Sequence, residues 1–117
     1  SLIFNPDRHY GNFGVMFDTE TMEPICMCSV FDNNRSLFPD LDQDQLEHPD
    51  WYLQRCKPML GKDFLITARA LMTPEIRSDL KNMIGFQFSQ HKRIASPQER
   101  LDALSEIINR QIKAILE

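Results

Sequence analysis

Glycine is scarce in this chain: 4 of 117 residues. No Gly-x-Gly-x-x-Gly and no Gly-x-x-x-x-Gly-Lys occurs, so the sequence holds neither common glycine-rich cradle for phosphate groups. There are 3 cysteines, too few for a disulfide-stapled scaffold. No basic excess exists: 13 Lys and Arg face 17 Asp and Glu, for a net charge of −4 and a pI of about 5.3. That balance excludes the electrostatic footprint of direct nucleic-acid binding. No apolar run approaches the roughly 18 residues that a membrane helix needs, and the leading residues do not read as a secretory leader. What remains is 42% hydrophobic and 26% charged, an ordinary globular composition at a length that suits one domain. A cytoplasmic protein is expected.

The most informative stretch is Asn5-Pro6-Asp7-Arg8-His9-Tyr10-Gly11-Asn12, followed later by Asp32. Asn, Pro, Asp and Gly each favour turns, so a plain turn is one reading. The other is chemical. Asp-x-x-x-x-Asn is the spacing at which a phosphoryl-transfer loop offers a carboxylate to the attacking hydroxyl and an amide oxygen to a metal ion. A second Asp beyond a strand pair would hold the same ion, and Asp32 is placed for that. Magnesium needs one or two carboxylates and fills its shell with water and phosphate oxygens. Gly11 is expected to supply unusual backbone angles within the loop.

The fuller pattern, Asn5-x-Asp7-x-His9-x-x-Asn12-Phe13, then two strands and Asp32, resembles the C-terminal lobe of HipA-like Ser/Thr kinases, including the stand-alone CtkA-type members. The likeness covers residue 5 to about residue 38. The Asp-Arg-His-x-x-Asn string is also similar to the catalytic loop of phosphoinositide lipid kinases, but the basic surface that anionic headgroups would require is missing. Asn33-Asn34 follow Asp32 where most protein kinases carry Phe-Gly.

The resemblance implies a bacterial enzyme using ATP and Mg2+ to phosphorylate Ser or Thr on a protein substrate. Asp7 and His9 are the candidate catalytic residues, Asp7 as general base and His9 supporting the loop. Asn12 and Asp32 are the candidate nucleotide and metal ligands, and Arg8 is expected to contact the segment after Asp32. Some relatives pair with a DNA-binding antitoxin. Without a glycine-rich loop or its phosphate-binding Lys, the chain is expected to be most of a C-terminal lobe, inactive alone and open to self-association. A non-catalytic helical interaction module is the rival reading.

The expected fold is α+β and predominantly helical, one domain over residues 1–117: a catalytic loop at 5–13, an antiparallel hairpin at 13–31, a long exposed activation-like loop at 32–50, and a helical region at 51–117. Ser36 is the one hydroxyl of that loop and a candidate phosphorylation position. The run Asp40, Asp42, Asp44 lacks the Gly and Glu of a calcium loop and is expected to be solvated charge. Cys26 and Cys28 are expected on opposite faces of their strand and unpaired; Cys-x-Cys is not the usual zinc spacing. With Cys56 they are expected to act as small buried hydrophobes. A short helix is expected near 48–55, with Trp51 and Tyr52 as core anchors. Residues 62–71 fit helix or strand. Thr73 and Pro74 should open a helix to about Ile84 that presents Ile76, Leu80, Met83 and Ile84, closed by Gly85. Helical continuation from Phe86 through His91 is open. Ser96-Pro97-Gln98-Glu99 reads as a capping box, and the apolar residues from Leu101 to Leu116 recur at three and four, predicting a long final helix with one broad buried face.

Overall fold

The computed structural model describes residues 1–117. It is α+β, with one two-stranded antiparallel sheet and five α-helices. A short 3-10 turn, Tyr10–Asn12, precedes the strands β1 (Val15–Phe17) and β2 (Pro24–Met27). The helices are α1 (Gln43–Glu47), α2 (Asp50–Arg55), α3 (Phe64–Ala70), α4 (Pro74–Asn82) and α5 (Gln98–Leu116).

Helix α5 is the axis of the fold. Its Leu and Ile residues lie three and four apart, so they share one face, and Leu104, Ile107, Ile108, Ile112 and Ile115 are all buried. Against the first half of that face pack Phe4, Phe38, Leu41, Leu46 and Phe64; against the second half pack Leu80, Leu65, Met72 and Phe86. The broad face is therefore covered from within the chain. The capping box at its start does not form. The cap position falls on Pro97, which has no side chain to donate or accept, because the Gln90 side chain takes both backbone groups of Ser96.

The hairpin stands apart from this core. Every residue of β1 and β2 is exposed, and the radius of gyration is 16.3 Å, against roughly 13 Å for a compact chain of this length. The strands pair Val15 with Met27, Met16 with Cys26 and Phe17 with Pro24, with an irregularity after Met16. They are shorter than the 13–31 span expected. Cys26 and Cys28 are exposed rather than buried. Nor do they point to opposite faces, because side chains alternate along a strand and residues two apart share a face.

Segment 32–50 is not the exposed loop expected. Asp42 caps α1 in a reciprocal box: its carboxylate accepts from Gln45 N at 2.9 Å, and Gln45 Oε1 accepts from Asp42 N at 3.0 Å. Leu41 and Leu46, flanking the cap, are both buried, the spacing of a hydrophobic staple. Asp42 is thus a helix cap, while Asp40 pairs with Arg35 on the surface at 3.0 Å. Arg100 of α5 fastens the segment by donating to the carbonyls of Phe38 at 3.0 Å and Leu41 at 2.8 Å. The Ser36 hydroxyl is buried without a partner, which withdraws it from a modifying enzyme.

Other expectations fail on burial. Trp51 is 65% exposed and lies under the Arg55 guanidinium, 4.2 Å from its ring, a cation–π pair rather than a core anchor. Tyr52 is half-buried, edge-on to Phe38. Residues 64–70 resolve as helix, capped by Asp63. Thr73 caps α4, accepting from Ile76 N at 3.3 Å, but only Leu80 of its apolar set is fully buried; Ile76 and Ile84 face outward. Gly85 does close that end, at φ +87°. The 86–91 stretch is not helical.

Candidate functional site

Two segments meet at the feet of the hairpin: the Asn5–Asn12 loop, which ends in the 3-10 turn before β1, and Asp32 beyond the foot of β2. Proline at position 6 and the short polar side chains around it favour a reversal. Asn5 makes it: its Oδ1 accepts from Asp7 N at 3.0 Å. The same side chain donates through Nδ2 to the Asp32 carbonyl at 3.2 Å. One buried amide, 4% exposed, therefore ties the backbones of Asp7 and Asp32 together.

Asn12 repeats the device. It is 5% exposed; its Oδ1 accepts from His9 N at 3.1 Å, and its Nδ2 donates to Asp32 Oδ2 at 2.8 Å. His9 caps the 3-10 turn, its Nδ1 accepting from Gly11 N at 3.1 Å. That bond leaves the ring proton on Nε2. Gly11 serves by being small rather than by unusual angles: a Cβ there would lie 3.0 Å from the His9 ring. Asp32 is the residue with strained backbone, at φ +57°, which costs roughly 1–2 kcal/mol for a non-glycine residue.

Arg8 locks both sides of Asp32. Its guanidinium donates to the carbonyls of Phe31 at 2.7 Å and Asn12 at 3.2 Å, and to Asn33 Oδ1. The expected contact with the segment after Asp32 is present, and it extends to the residue before.

The structure thus brings Asn12 and Asp32 into direct contact, with Asp7 one amide away. Asp7 is half-buried, and only its backbone N–H is bonded, which leaves its carboxylate available. Asp32 keeps Oδ1 free of protein donors while Oδ2 meets Asn12. No three His, Cys, Asp or Glu side chains gather closely enough to hold a metal by themselves. The hard-oxygen donors here are Asp32 and the Asn12 amide oxygen. As placed, the Asn12 amide turns its Nδ2 to Asp32 and its oxygen to His9 N, so the two oxygen donors face the same ion only if that amide turns over.

Beside the site lies a cleft of about 460 Å³, bordered by Asn5, Arg8, Asn12, Phe13, Cys28 and Phe64. Its volume falls in the range of small-ligand sites, roughly 300–1,000 Å³. Asp7 and Asp32 do not line it; the cleft meets the site through Asn5, Arg8 and Asn12.

Asn5 is a site residue to which the sequence assigned no role; its bond to Asp7 N has a local signal, a short polar side chain two residues ahead of a turn N–H, but its reach to Asp32 has none. Comparison with protein families, with curated proteins and with solved structures finds no match.

Proposed function

We propose that this chain is the catalytic-loop half of a HipA-like Ser/Thr protein kinase. The observation that carries the reading is the Asn12–Asp32 contact of 2.8 Å across the feet of the hairpin. It joins two residues 20 apart in sequence, which supports a reading in which both serve one phosphoryl-transfer site.

In this reading Asp7, with its carboxylate unbonded, meets the hydroxyl of a protein substrate and accepts its proton. Asn12 and Asp32 would hold Mg2+ once the Asn12 amide turns its oxygen from His9 N toward Asp32; the ion would supply charge neutralisation for the transferred phosphoryl group. His9 and Gly11 set the turn that presents Asn12. Arg8 and Asn5 fix Asp32 in its left-handed conformation. The chain contains no glycine-rich phosphate loop, so transfer needs a second lobe that covers the nucleotide. A DNA-binding antitoxin partner and a cytoplasmic location belong to this proposal as well.

The test joins this chain to a HipA-like N-terminal lobe and assays ATP-dependent phosphorylation of a protein. Asp7→Ala and Asp32→Ala should each abolish transfer while near-UV circular dichroism stays unchanged. Wild-type-like activity in either variant refutes the assigned roles.

A second reading, a non-catalytic interaction module, is favoured by the hairpin itself. Phe13, Val15, Phe17, Ile25 and Met27 are all exposed on it, and contiguous apolar patches of that kind mark interaction surfaces. Under it, the same two substitutions change stability alone.

A further inference from the structure

Apart from the oxygen-rich site, the hairpin carries a group of sulfur atoms. Met16 and Cys26 are direct partners in the strand register, and Cys26 Sγ lies 3.9 Å from Met16 Sδ. Two sulfurs bound to one ion at bond lengths of about 2.3 Å and angles of about 110–120° are about 3.8–4.0 Å apart. The two sulfurs already touch, and one ion could bridge them without separating them.

Cys28 is two residues from Cys26 and shares its face. It is held across from Gly14, whose carbonyl accepts from Cys28 N at 2.8 Å. A Cβ on Gly14 would lie 3.1 Å from Cys28 Cβ and 3.8 Å from Cys28 Sγ, so a larger residue at 14 would crowd the Cys28 side chain. The result is a patch with two thiols and one thioether on one face of the hairpin. All three sulfur residues are exposed, Met16 by 52%, so an ion reaches them without unfolding.

We propose that Met16, Cys26 and Cys28 form a binding site for a soft monovalent metal ion of the Cu(I) class. Softness decides the class: thiolate and thioether sulfur select Cu(I), whereas a thioether adds little for harder ions. Binding releases the thiol protons of Cys26 and Cys28, since the thiolate is the ligand. The proposal stands on the hairpin's sulfur geometry and does not depend on the kinase reading.

The experiment is an anaerobic titration of the whole chain with Cu(I) against a chromogenic Cu(I) chelator, with circular dichroism to verify folding. One Cu(I) per chain is expected, with near-ultraviolet thiolate-to-copper absorption. Cys26→Ser and Cys28→Ser should each weaken it about 100-fold or more, and Met16→Leu about 10-fold, since even indirect partners of metal ligands are worth about 10–100-fold. Cys56→Ser should leave it unchanged, and Zn(II) should not displace the copper. Failure to compete with the chelator, undiminished affinity in Met16→Leu, dependence on Cys56, or equal affinity for Zn(II) each overturns the proposal.

Discussion

Replacing Asn12 by Asp tests the geometry of the site with almost no change of shape. The Asn12 Nδ2 that donates to Asp32 Oδ2 at 2.8 Å becomes a carboxylate oxygen facing another. At neutral pH the variant loses a hydrogen bond to a charged group, about 1.5–3 kcal/mol. It also gains a repulsion of about 1 kcal/mol if the pair is water-screened and about 4 kcal/mol if it is surface-like. A net loss of about 2.5–7 kcal/mol follows, a large part of the 5–15 kcal/mol typical of a domain.

The loss depends on pH. The introduced carboxyl can restore the bond by keeping a proton, so the folded variant holds that proton more tightly than the unfolded chain, whose carboxyls titrate near pH ~4. A raised folded-state value means that the variant is closest to the parent in acid and falls away as pH rises through it. Urea unfolding of both proteins at pH 5 and pH 8 measures the difference. Mg2+, which two carboxylates can share, should narrow the gap at pH 8. A stability difference that is the same at both pH values refutes the contact between position 12 and Asp32.

Three further outcomes are expected. Ile112 is 0% exposed, so Ile112→Ala should cost about 2–5 kcal/mol in urea unfolding; a loss under 1 kcal/mol contradicts the role of α5 as the axis. Asp42→Ala should cost about 1 kcal/mol and speed amide exchange at Gln45 and Leu46 while leaving α4 untouched. Partial burial opposes charge on Asp63, but the N–H groups of Leu65 and Ile66 and the Lys57 ammonium outweigh it and hold the carboxyl below its usual range. Its contribution is therefore present above the ordinary carboxyl value and lost as pH falls through the lowered one. Asp63→Asn should flatten the acid limb of the stability curve, read by thermal melts from neutral pH down to about pH 2.

Legibility in the sequence varied with how local the cause was. The interior of α5 was plain from its Leu and Ile periodicity, and Thr73-Pro74 opened α4 where the residue types said it would. The cap of α5 was not legible, because Gln90, distant in sequence, takes the Ser96 backbone. Helix α1 was hidden inside an acidic run. Its Asp42-x-x-Gln45 box and flanking leucines were readable, but five residues show no periodicity. Leu37 and Phe38 adopt positive φ, which nothing in either residue announces; the pull is tertiary, as Phe38 enters the core beside Phe4 and Tyr52. At the site, the proximity of Asn12 and Asp32 was expected from their places at the two ends of the ribbon. The bridging by Asn5 was not, because a hydrogen bond spanning 27 residues leaves no local trace.

The outward-standing ribbon has a mechanical corollary. Its strands rest on each other rather than on the helical body, while its two roots carry Asn12 and Asp32. The gap between those residues is thus governed by their own bond, by the buried Asn5 amide and by the Arg8 clasp. A hand placed on the tip would work as a lever, and a small tilt there would open or shut the distance at the base.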